Sequence, residues 1–290
     1  MPIRDLFLAL LVPCILGFGF VIAKPAMDYF PPILLNGLRW TLSGLVMFYF
    51  FPFPKKLIKE MLIISFIGCT VQYSFSFYGL KIIDGASATL FVQSEIPFGI
   101  LIAFFILGEK PPIKNILGLI IAFIGIIFLS GNPDLEGKMI GVVFILLGAF
   151  LWSFAQVIAK NVSKKIGGLA LTAWLGIFAG PQAIFASFLI EGNTFNYIAN
   201  ANFQSWMILI YLGLVMNGIG YSCWYSVLSR HPVNNVMPVL LLFPITGLLT
   251  AVFILKEKLN THSYIGGAII IIGVAIILIN KKKKTFNENI

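Results

Sequence analysis

Apolar runs of about 20 residues recur along almost the whole chain, and only short polar gaps separate them. Because a helix needs roughly 20 apolar residues to cross a bilayer, each run predicts one transmembrane helix. Of the 290 residues, 59% are hydrophobic and 11% are charged, and a soluble domain averages about 25% charged residues. The sequence therefore predicts an all-α polytopic membrane protein with ten transmembrane helices. These spans 1 to 10 cover residues 6–24, 32–51, 61–80, 86–107, 113–131, 138–158, 168–190, 204–228, 236–255 and 262–280.

Positive charges are distributed unequally between the two sides of this arrangement. Ten spans place both termini on one side, which holds fourteen Lys and Arg residues against five on the other side. Since cytoplasmic loops carry the excess of Lys and Arg, we expect both termini in the cytoplasm and a basic cytoplasmic tail over residues 281–290. The fourteen are Arg4, Lys55, Lys56, Lys59, Lys110, Lys114, Lys160, Lys164, Lys165, Arg230 and Lys281 to Lys284.

The chain also contains an internal repeat. Residues 105–130 align without gaps to residues 253–278, and nine of the 26 positions are identical. The shared pattern E-K-x7-G-x6-G begins at Glu109 and returns at Glu257. This repeat predicts two five-helix halves, residues 1–133 and 134–280. Because five is odd, the second half enters the membrane from the opposite side, and such inverted repeats let one central site open alternately to either face.

Several other classes of protein are disfavoured by the residue pattern. The net charge of +9 does not indicate nucleic-acid binding, because the basic residues lie in short gaps between spans. Cys14, Cys69 and Cys223 lie inside apolar runs without C-x-x-C spacing, so neither a zinc site nor a disulfide framework is predicted. The sequence also lacks the His, Asp or Ser cluster of a membrane enzyme. We expect a protein that is not an enzyme and has no cofactor or metal, with a small-molecule substrate and the lipid bilayer as partners.

Four motifs carry a resemblance to a known family: PPILLNGLRW (31–40), ASATLFVQSEIPFGILIAFFILGEK (86–110), NGIGYSCWYSVLSR (217–230) and MPVLLLFPITGLLTAVFILKEKL (237–259). With them the chain resembles, essentially from end to end, the EamA family of the drug/metabolite transporter superfamily. Gly37–Arg39, Gln93 and Gly220–Trp224 are similar to residues of family members that export O-acetylserine and cysteine. The resemblance implies a central cavity lined by both halves and alternating-access transport of small metabolites. Glu95 departs from the family, in which this position is usually neutral.

Two ionisable residues, Arg39 and Glu95, are predicted to lie deep in the membrane, where a charge costs about 2.5–3.5 kcal/mol. At a rise of 1.5 Å per residue, both lie about 10–14 Å below the same membrane boundary, and Gln72 falls at a similar depth. Two interpretations are open. Arg39 and Glu95 form a structural ion pair, or Arg39 binds a substrate carboxylate while Glu95 binds the substrate amine or carries a proton.

Prolines mark corresponding places in spans 4 and 9. Pro97 has no N–H for the carbonyl of Gln93, and Pro244 stands at the matching place of the second half, one residue out of register. Helices broken at corresponding positions are typical of transport sites, although a packing kink without a ligand is the alternative. Gln93 and Glu95 point about 200° apart on a regular helix, so both can belong to one site only if the helix is distorted.

Spans 6 and 8 carry further candidates for substrate binding. Asn217, Tyr221 and Trp224 recur at i, i+4 and i+7 on one predicted helix face, and span 6 supplies Trp152 and Gln156. Such a face either binds an amphipathic solute or packs against a neighbouring helix.

Two features concern the ends and sides of the bundle. Lys24 ends span 1, where an extracellular gate contact and plain anchoring at the membrane surface are both open. The aliphatic spans 5 and 10 carry glycines suited to close helix packing, and they predict a scaffold or the face of a homodimer.

The sequence therefore predicts a secondary active transporter of amino acids or their derivatives in the bacterial inner membrane, working by alternating access in the direction of efflux. Uptake of a host or environmental metabolite is the alternative, for example an amino-acid-like or nucleoside-containing compound such as S-adenosylmethionine. Multidrug/proton exchange is a further alternative. After a transporter and a membrane enzyme, a structural or receptor-like protein is the third class of function.

Overall fold

The computed structural model describes residues 3–107, 113–192, 194–230, 240 and 242–278, and within these residues it is helical without any β-strand. The all-α prediction is confirmed for this part of the chain. Glu109, Lys110 and the basic tail lie outside the described residues.

Two helices of the first half begin at residues that favour a helix N-terminus. The second helix starts at Pro32, where a missing N–H is tolerated because the first turn has no partner for it. Asp84 caps the fifth helix by accepting a hydrogen bond from the Ser87 N–H at 2.7 Å. The helices are α1 (Ile3–Ala26), α2 (Pro32–Met47), α3 (Ile58–Ile63), α4 (Gln72–Ile82), α5 (Gly85–Val92), α6 (Glu95–Leu107) and α7 (Ile113–Ser130). A π-helical segment, Ile64–Val71, joins α3 to α4.

The second half has a related sequence of elements. Gly167, with a φ of +85°, separates its first two helices, and this left-handed conformation favours glycine. The helices are α8 (Met139–Ile166), α9 (Gly168–Ile190), α10 (Thr194–Asn200), α11 (Phe203–Ile210), α12 (Ser222–Arg230), α13 (Leu242–Phe253) and α14 (Thr261–Leu278). A second π-helical segment, Tyr211–Tyr221, joins α11 to α12.

Within the described ranges, six helical stretches are long and apolar enough to cross a membrane, which supports a multi-pass membrane protein. They are Phe7–Ala26, Pro32–Phe50, Lys55–Ile82, Met139–Gln156, Gly168–Ile190 and Phe203–Arg230. Three shorter apolar helices coincide with the predicted spans 5, 9 and 10: Ile116–Ser130, Leu242–Phe253 and Thr261–Ile276. Span 4 is divided between α5 and α6. The count of ten spans stays a prediction.

The two halves pack against each other in matching pairs. α2 packs along α9, and α7 packs along α14. α4 packs on α8, and the corresponding α12, together with the π-helical segment before it, packs on α1. Likewise, α1 packs on α13 and α8 packs on α6. Every one of these contacts has its counterpart when the halves are exchanged, as expected of two structural repeats.

Glycines bring the central helix pairs into backbone contact. A Cβ on Gly44 of α2 would lie 2.6 Å from the carbonyl carbon of Gly176 on α9. A Cβ on Gly125 or on Gly273 would lie within 2.7 Å of a backbone nitrogen across the α7–α14 contact. The close packing predicted for the glycines of spans 5 and 10 is thus confirmed at both positions, and the two helices pack on each other.

Candidate functional site

The predicted break in span 4 lies at Gln93 and Ser94, between α5 and α6. The N–H of Ile96 donates to the Gln93 carbonyl at 3.2 Å, and Pro97 has no N–H with which to bind the same carbonyl. The break turns the chain so that Gln93 and Glu95 both line one cavity. Pro244 occupies the third position of α13, as Pro97 does in α6.

This cavity lies between the two halves. Its lining comes from α1, α4, α5, α6 and α8, from the second π-helical segment, and from the start of the predicted span 9. The free space is small, about 40 Å³ for the centres of water-sized molecules. The lining residues are Leu16, Phe20, Gln72, Tyr73, Ser76, Val92, Gln93, Glu95, Ile96, Trp152, Met216, Tyr221, Leu240 and Phe243.

The carboxylate of Glu95 supplies the acidic group of the lining. Among the described residues it forms no ion pair and accepts no hydrogen bond. Its backbone carbonyl is fixed by Ser153, whose Oγ donates to it at 2.6 Å. Glu95 is also the first residue of α6, and a negative charge is stabilised near a helix N-terminus. The start of a helix beside a cavity explains how this carboxylate is tolerated.

Gln72 places a second acceptor oxygen in the cavity wall. Its Nε2 donates to Ser76 Oγ at 3.0 Å. Its Oε1 is buried and has no hydrogen-bond partner in the part of the chain that the structure describes. An unpaired buried acceptor costs about 1–3 kcal/mol, so a donor that reached this oxygen would be stabilised there.

Arg39 lies behind the wall of the cavity and is fully buried. Its Nε and Nη2 donate to Asn36 Oδ1 at 3.2 and 3.1 Å, and its Nη1 donates to Asn217 Oδ1 at 3.3 Å. Its guanidinium carbon lies 3.8 Å from the centre of the Tyr73 ring and 4.7 Å from that of Phe77. Amide oxygens and aromatic faces thus compensate its charge.

Arg39 and Glu95 do not form an ion pair in this structure, because the ion pairs among the described residues join other side chains. Equal depth in the membrane allowed such a contact. However, the guanidinium is directed towards the two asparagines and the Tyr73 ring, while the carboxylate lies in the cavity. Arg39 is not among the lining residues either, so it does not contact a solute in this conformation.

Aromatic side chains cover the remaining wall between the halves. The hydroxyls of Tyr73 and Tyr221 are in hydrogen-bond contact, which joins α4 to the second π-helical segment. Trp152 packs on Trp224 with ring centres 6.2 Å apart, and Trp224 Nε1 donates to Gln156 Oε1 at 3.1 Å. Trp152 and Tyr221 line the cavity, whereas Trp224 and Gln156 form a layer behind it.

One end of α1 carries the Lys24 pair, formed by Lys24 and Glu257. Lys24 Nζ lies 3.3 Å from Glu257 Oε1 and donates to the Ile83 carbonyl at 2.6 Å. The same carboxylate accepts the N–H groups of Gly85 and Ala86 at 2.8 and 3.0 Å. A residue of the second half therefore caps α5 and holds the end of α1.

The opposite end of α1 carries the Arg230 pair, formed by Asp5 and Arg230. Arg230 Nη1 lies 3.0 Å from Asp5 Oδ1. Asp5 and Lys24 are 19 residues apart on one helix, about 28 Å at 1.5 Å per residue. The cavity residues Leu16 and Phe20 lie between them along the helix. Thus α1 is joined to the second half by an ion pair at each end.

Of the residues suggested by the sequence, Gln72, Gln93, Glu95, Trp152 and Tyr221 come together around the cavity. Asn217 contacts Arg39 instead, so the predicted common face of span 8 is divided. The cause is the π-helical segment, which changes the angular spacing of side chains. Sequence reasoning missed Tyr73, although it adjoins Gln72. No group of three potential metal ligands occurs among the described residues.

The model of the EamA-like transporter family matches the chain twice, over residues 4–131 and 139–279. The chain belongs to the EamA-like transporter family. The two matches agree with the paired packing of the halves. Membership also identifies the protein as a transporter that is embedded in a membrane and acts on a small molecule.

Relatives of similar length share this EamA-like sequence. A protein of Escherichia coli (strain K12) named "Probable amino-acid metabolite efflux pump" is 27% identical over 282 residues, which cover 94% of each chain. A protein of the same name from Salmonella typhimurium is 28% identical over 285 residues, again 94% of each chain. An uncharacterized transporter of Bacillus subtilis, YoaV, is 24% identical and covers 91% of this chain and 92% of its own.

A solved structure described only as "Crystal structure of protein" has the same fold. Its TM-score is 0.67 at 19% identity, and the match covers 92% of this chain and 94% of that one. At this identity the likeness concerns the fold alone.

Proposed function

We propose that this EamA-like protein is a secondary active transporter that moves small organic metabolites, amino acids or their derivatives, by alternating access. One observation supports the proposal: a small cavity lies between the halves, and an ion pair joins α1 to the second half at each end of that helix. The free space of this cavity, about 40 Å³, is small beside ligand pockets of about 300–1,000 Å³, so we expect the cavity to widen when a solute enters.

The two ion pairs supply the closures that alternating access requires. The Lys24 pair holds α1 and α5 to the end of α13, and the Arg230 pair holds α1 to α12. If one pair separates while the other persists, the cavity opens at one end only. The proposed inverted arrangement of ten spans makes the two openings structurally related.

The distribution of positively charged residues predicts which of these two ends faces the cytoplasm. With the Arg230 end in the cytoplasm, the Lys24 end faces outward and both termini are cytoplasmic. The proposed location is the bacterial inner membrane. Pairing of two copies through exposed aliphatic side chains of α7, such as Ile120 and Ile124, is a further proposal on assembly.

Efflux is the direction we propose, by extension from the relatives named efflux pumps. Two other candidates stay open: uptake of a host or environmental metabolite, and exchange of a solute for a proton. The unpaired carboxylate of Glu95 in the cavity favours exchange, because either a proton or a cationic group can neutralise it.

Counterflow in liposomes tests the proposal. Purified protein is reconstituted with each unlabelled solute inside, and entry of the same labelled solute is followed for a panel of amino acids, amino-acid amides and nucleosides. We expect at least one solute to accumulate transiently. Trp152→Ala should reduce its rate, whereas Phe150→Ala on the same helix should not, because Phe150 is 44% exposed and outside the cavity. Folded protein that moves no solute of the panel would contradict transport.

A further inference from the structure

The described lining of the cavity carries an acidic side chain but no basic one, whereas a zwitterionic amino acid needs a partner for each of its two charges. A zwitterion brings a carboxylate as well as an ammonium group, and each needs a partner when it leaves water. The character of the lining therefore limits the class of solute, provided that the transport function proposed above is correct.

Two acceptor groups of the lining, the Glu95 carboxylate and Gln72 Oε1, have no partner among the described residues. Glu95 has a carboxylate without an ion pair or hydrogen bond among the described residues. Gln72 uses its amide N–H on Ser76, which leaves Oε1 free in the same part of the chain. A positively charged N–H group would satisfy both oxygens, and such charge-assisted hydrogen bonds are about twice as strong as neutral ones.

No cation of the described lining is available to a substrate carboxylate. The lining contains neither Lys nor Arg among its described residues. Arg39, the nearest candidate from the sequence, is fully buried. Its donors are directed to Asn36 and Asn217, and the Tyr73 ring stands between it and the cavity. A carboxylate in the cavity would therefore lose its hydration without gaining a counterion.

The rest of the wall suits an organic cation. Trp152, Tyr221 and Phe20 line the same space as Glu95. Aromatic faces attract ammonium groups, and the attraction is stronger where the contact excludes water. The aromatic wall and the single carboxylate thus act in the same direction.

We propose that the cavity binds solutes that carry a positively charged nitrogen and no free carboxylate, such as primary amines and amino-acid amides or esters. Glu95 and Gln72 bind the ammonium group, and the aromatic wall holds the apolar part. Zwitterionic amino acids are bound more weakly because the described lining offers no cationic partner for their carboxylate.

Three probes that share a phenyl ring and an amino group separate these charges: phenylalanine amide, which has the size of phenylalanine, the smaller 2-phenylethylamine, and phenylalanine itself. Their binding to the purified full-length protein is measured by displacement of radiolabelled phenylalanine amide, with counterflow in liposomes as an independent assay. We expect the amide and the amine to bind at least tenfold more tightly than phenylalanine. Equal or tighter binding of phenylalanine would overturn the proposal.

Substitutions test whether the Glu95 carboxylate causes the preference for the amine and the amide over phenylalanine. Glu95→Gln should weaken binding of the amine at least tenfold and leave binding of phenylalanine within about threefold. The double change Glu95→Gln with Gln93→Glu moves the carboxylate to another lining position and should restore part of the selectivity. Glu136→Gln removes the same charge from an exposed loop and should change neither. Selectivity that survives Glu95→Gln would overturn the role of Glu95.

The outcomes also separate this inference from the proposed function. Counterflow of phenylalanine that equals or exceeds counterflow of the amide contradicts the charge selectivity and supports transport. Tight binding of the amide without counterflow of any solute supports the charge selectivity and contradicts transport.

Discussion

Lys24 and Glu257 are joined by an ion pair of 3.3 Å across 233 residues of sequence, and the same carboxylate caps the first turn of α5. This contact combines a charge, a helix cap and a link between the halves in one position. It therefore links α1 to the helix that leads to Glu95.

We expect Glu257→Ala to open the Lys24 end. Its loss removes the ion pair and leaves the N–H groups of Gly85 and Ala86 without the carboxylate, at a cost of about 1–3 kcal/mol each where they stay dry. The measurement is labelling of a cysteine at Ser76, in a background without native cysteines, by a membrane-impermeant thiol reagent. Labelling from outside should rise about tenfold or more. Glu136→Ala should leave it unchanged, and an unaltered rate in Glu257→Ala would contradict a gate.

Arg230→Gln should produce the opposite and smaller effect. The Arg230 side chain is 50% exposed, and exposed ion pairs contribute about 0.2–1 kcal/mol, which corresponds to a shift of about 1.4- to 5-fold. Labelling of the same cysteine from the cytoplasmic side of inverted vesicles should increase by this factor. An increase from the outside instead would show that the assignment of the two ends is wrong.

The stabilities of Arg39→Ala and Glu95→Ala are expected to be additive. Each single variant is compared with the double variant by thermal unfolding in detergent. A direct ion pair would give an interaction energy of about 0.5–3 kcal/mol, whereas groups without a shared partner agree within about 0.3–0.5 kcal/mol. Additivity fits the separate surroundings of the two side chains, and a large coupling would contradict them.

A substitution at the α2–α9 contact should destabilise the fold itself. Gly176→Ala places a Cβ 2.6 Å from Gly44 Cα, so the helices must separate, at a cost of about 1–3 kcal/mol. Gly99→Ala is the matched control, because a Cβ there has no described atom within 4 Å. The melting temperature should fall for Gly176→Ala and not for Gly99→Ala. Equal melting temperatures would argue against this packing.

Hydrophobic runs and one internal repeat were enough to predict helices, two related halves and the break before Pro97, because these depend on local chain properties. Depth in the membrane also placed Arg39 and Glu95 at similar levels. Depth does not define the direction in which a side chain points, so the contacts of Arg39 with Asn36 and Asn217 could not be predicted. The i, i+4, i+7 spacing did not place Asn217 on the same face as Tyr221, because a π-helical segment interrupts the regular α-helical spacing.

The contacts between distant segments were the hardest to predict. Glu257 was recognised through its repeat pattern, but nothing in the sequence joins it to Lys24 or to the N–H groups of Gly85 and Ala86. Such a pairing depends on how the halves dock. The candidate gates therefore required the structure.

The most direct measurement of alternating access is transport by a protein whose Lys24 end is held closed. Lys24→Cys with Glu257→Cys, in a background without native cysteines, is treated with a bifunctional thiosulfonate after reconstitution. The account predicts that counterflow stops when cross-linking is complete and returns when a reductant cleaves the cross-link. The same reagent should not affect the single variant Lys24→Cys. Undiminished counterflow through the fully cross-linked protein would contradict the account.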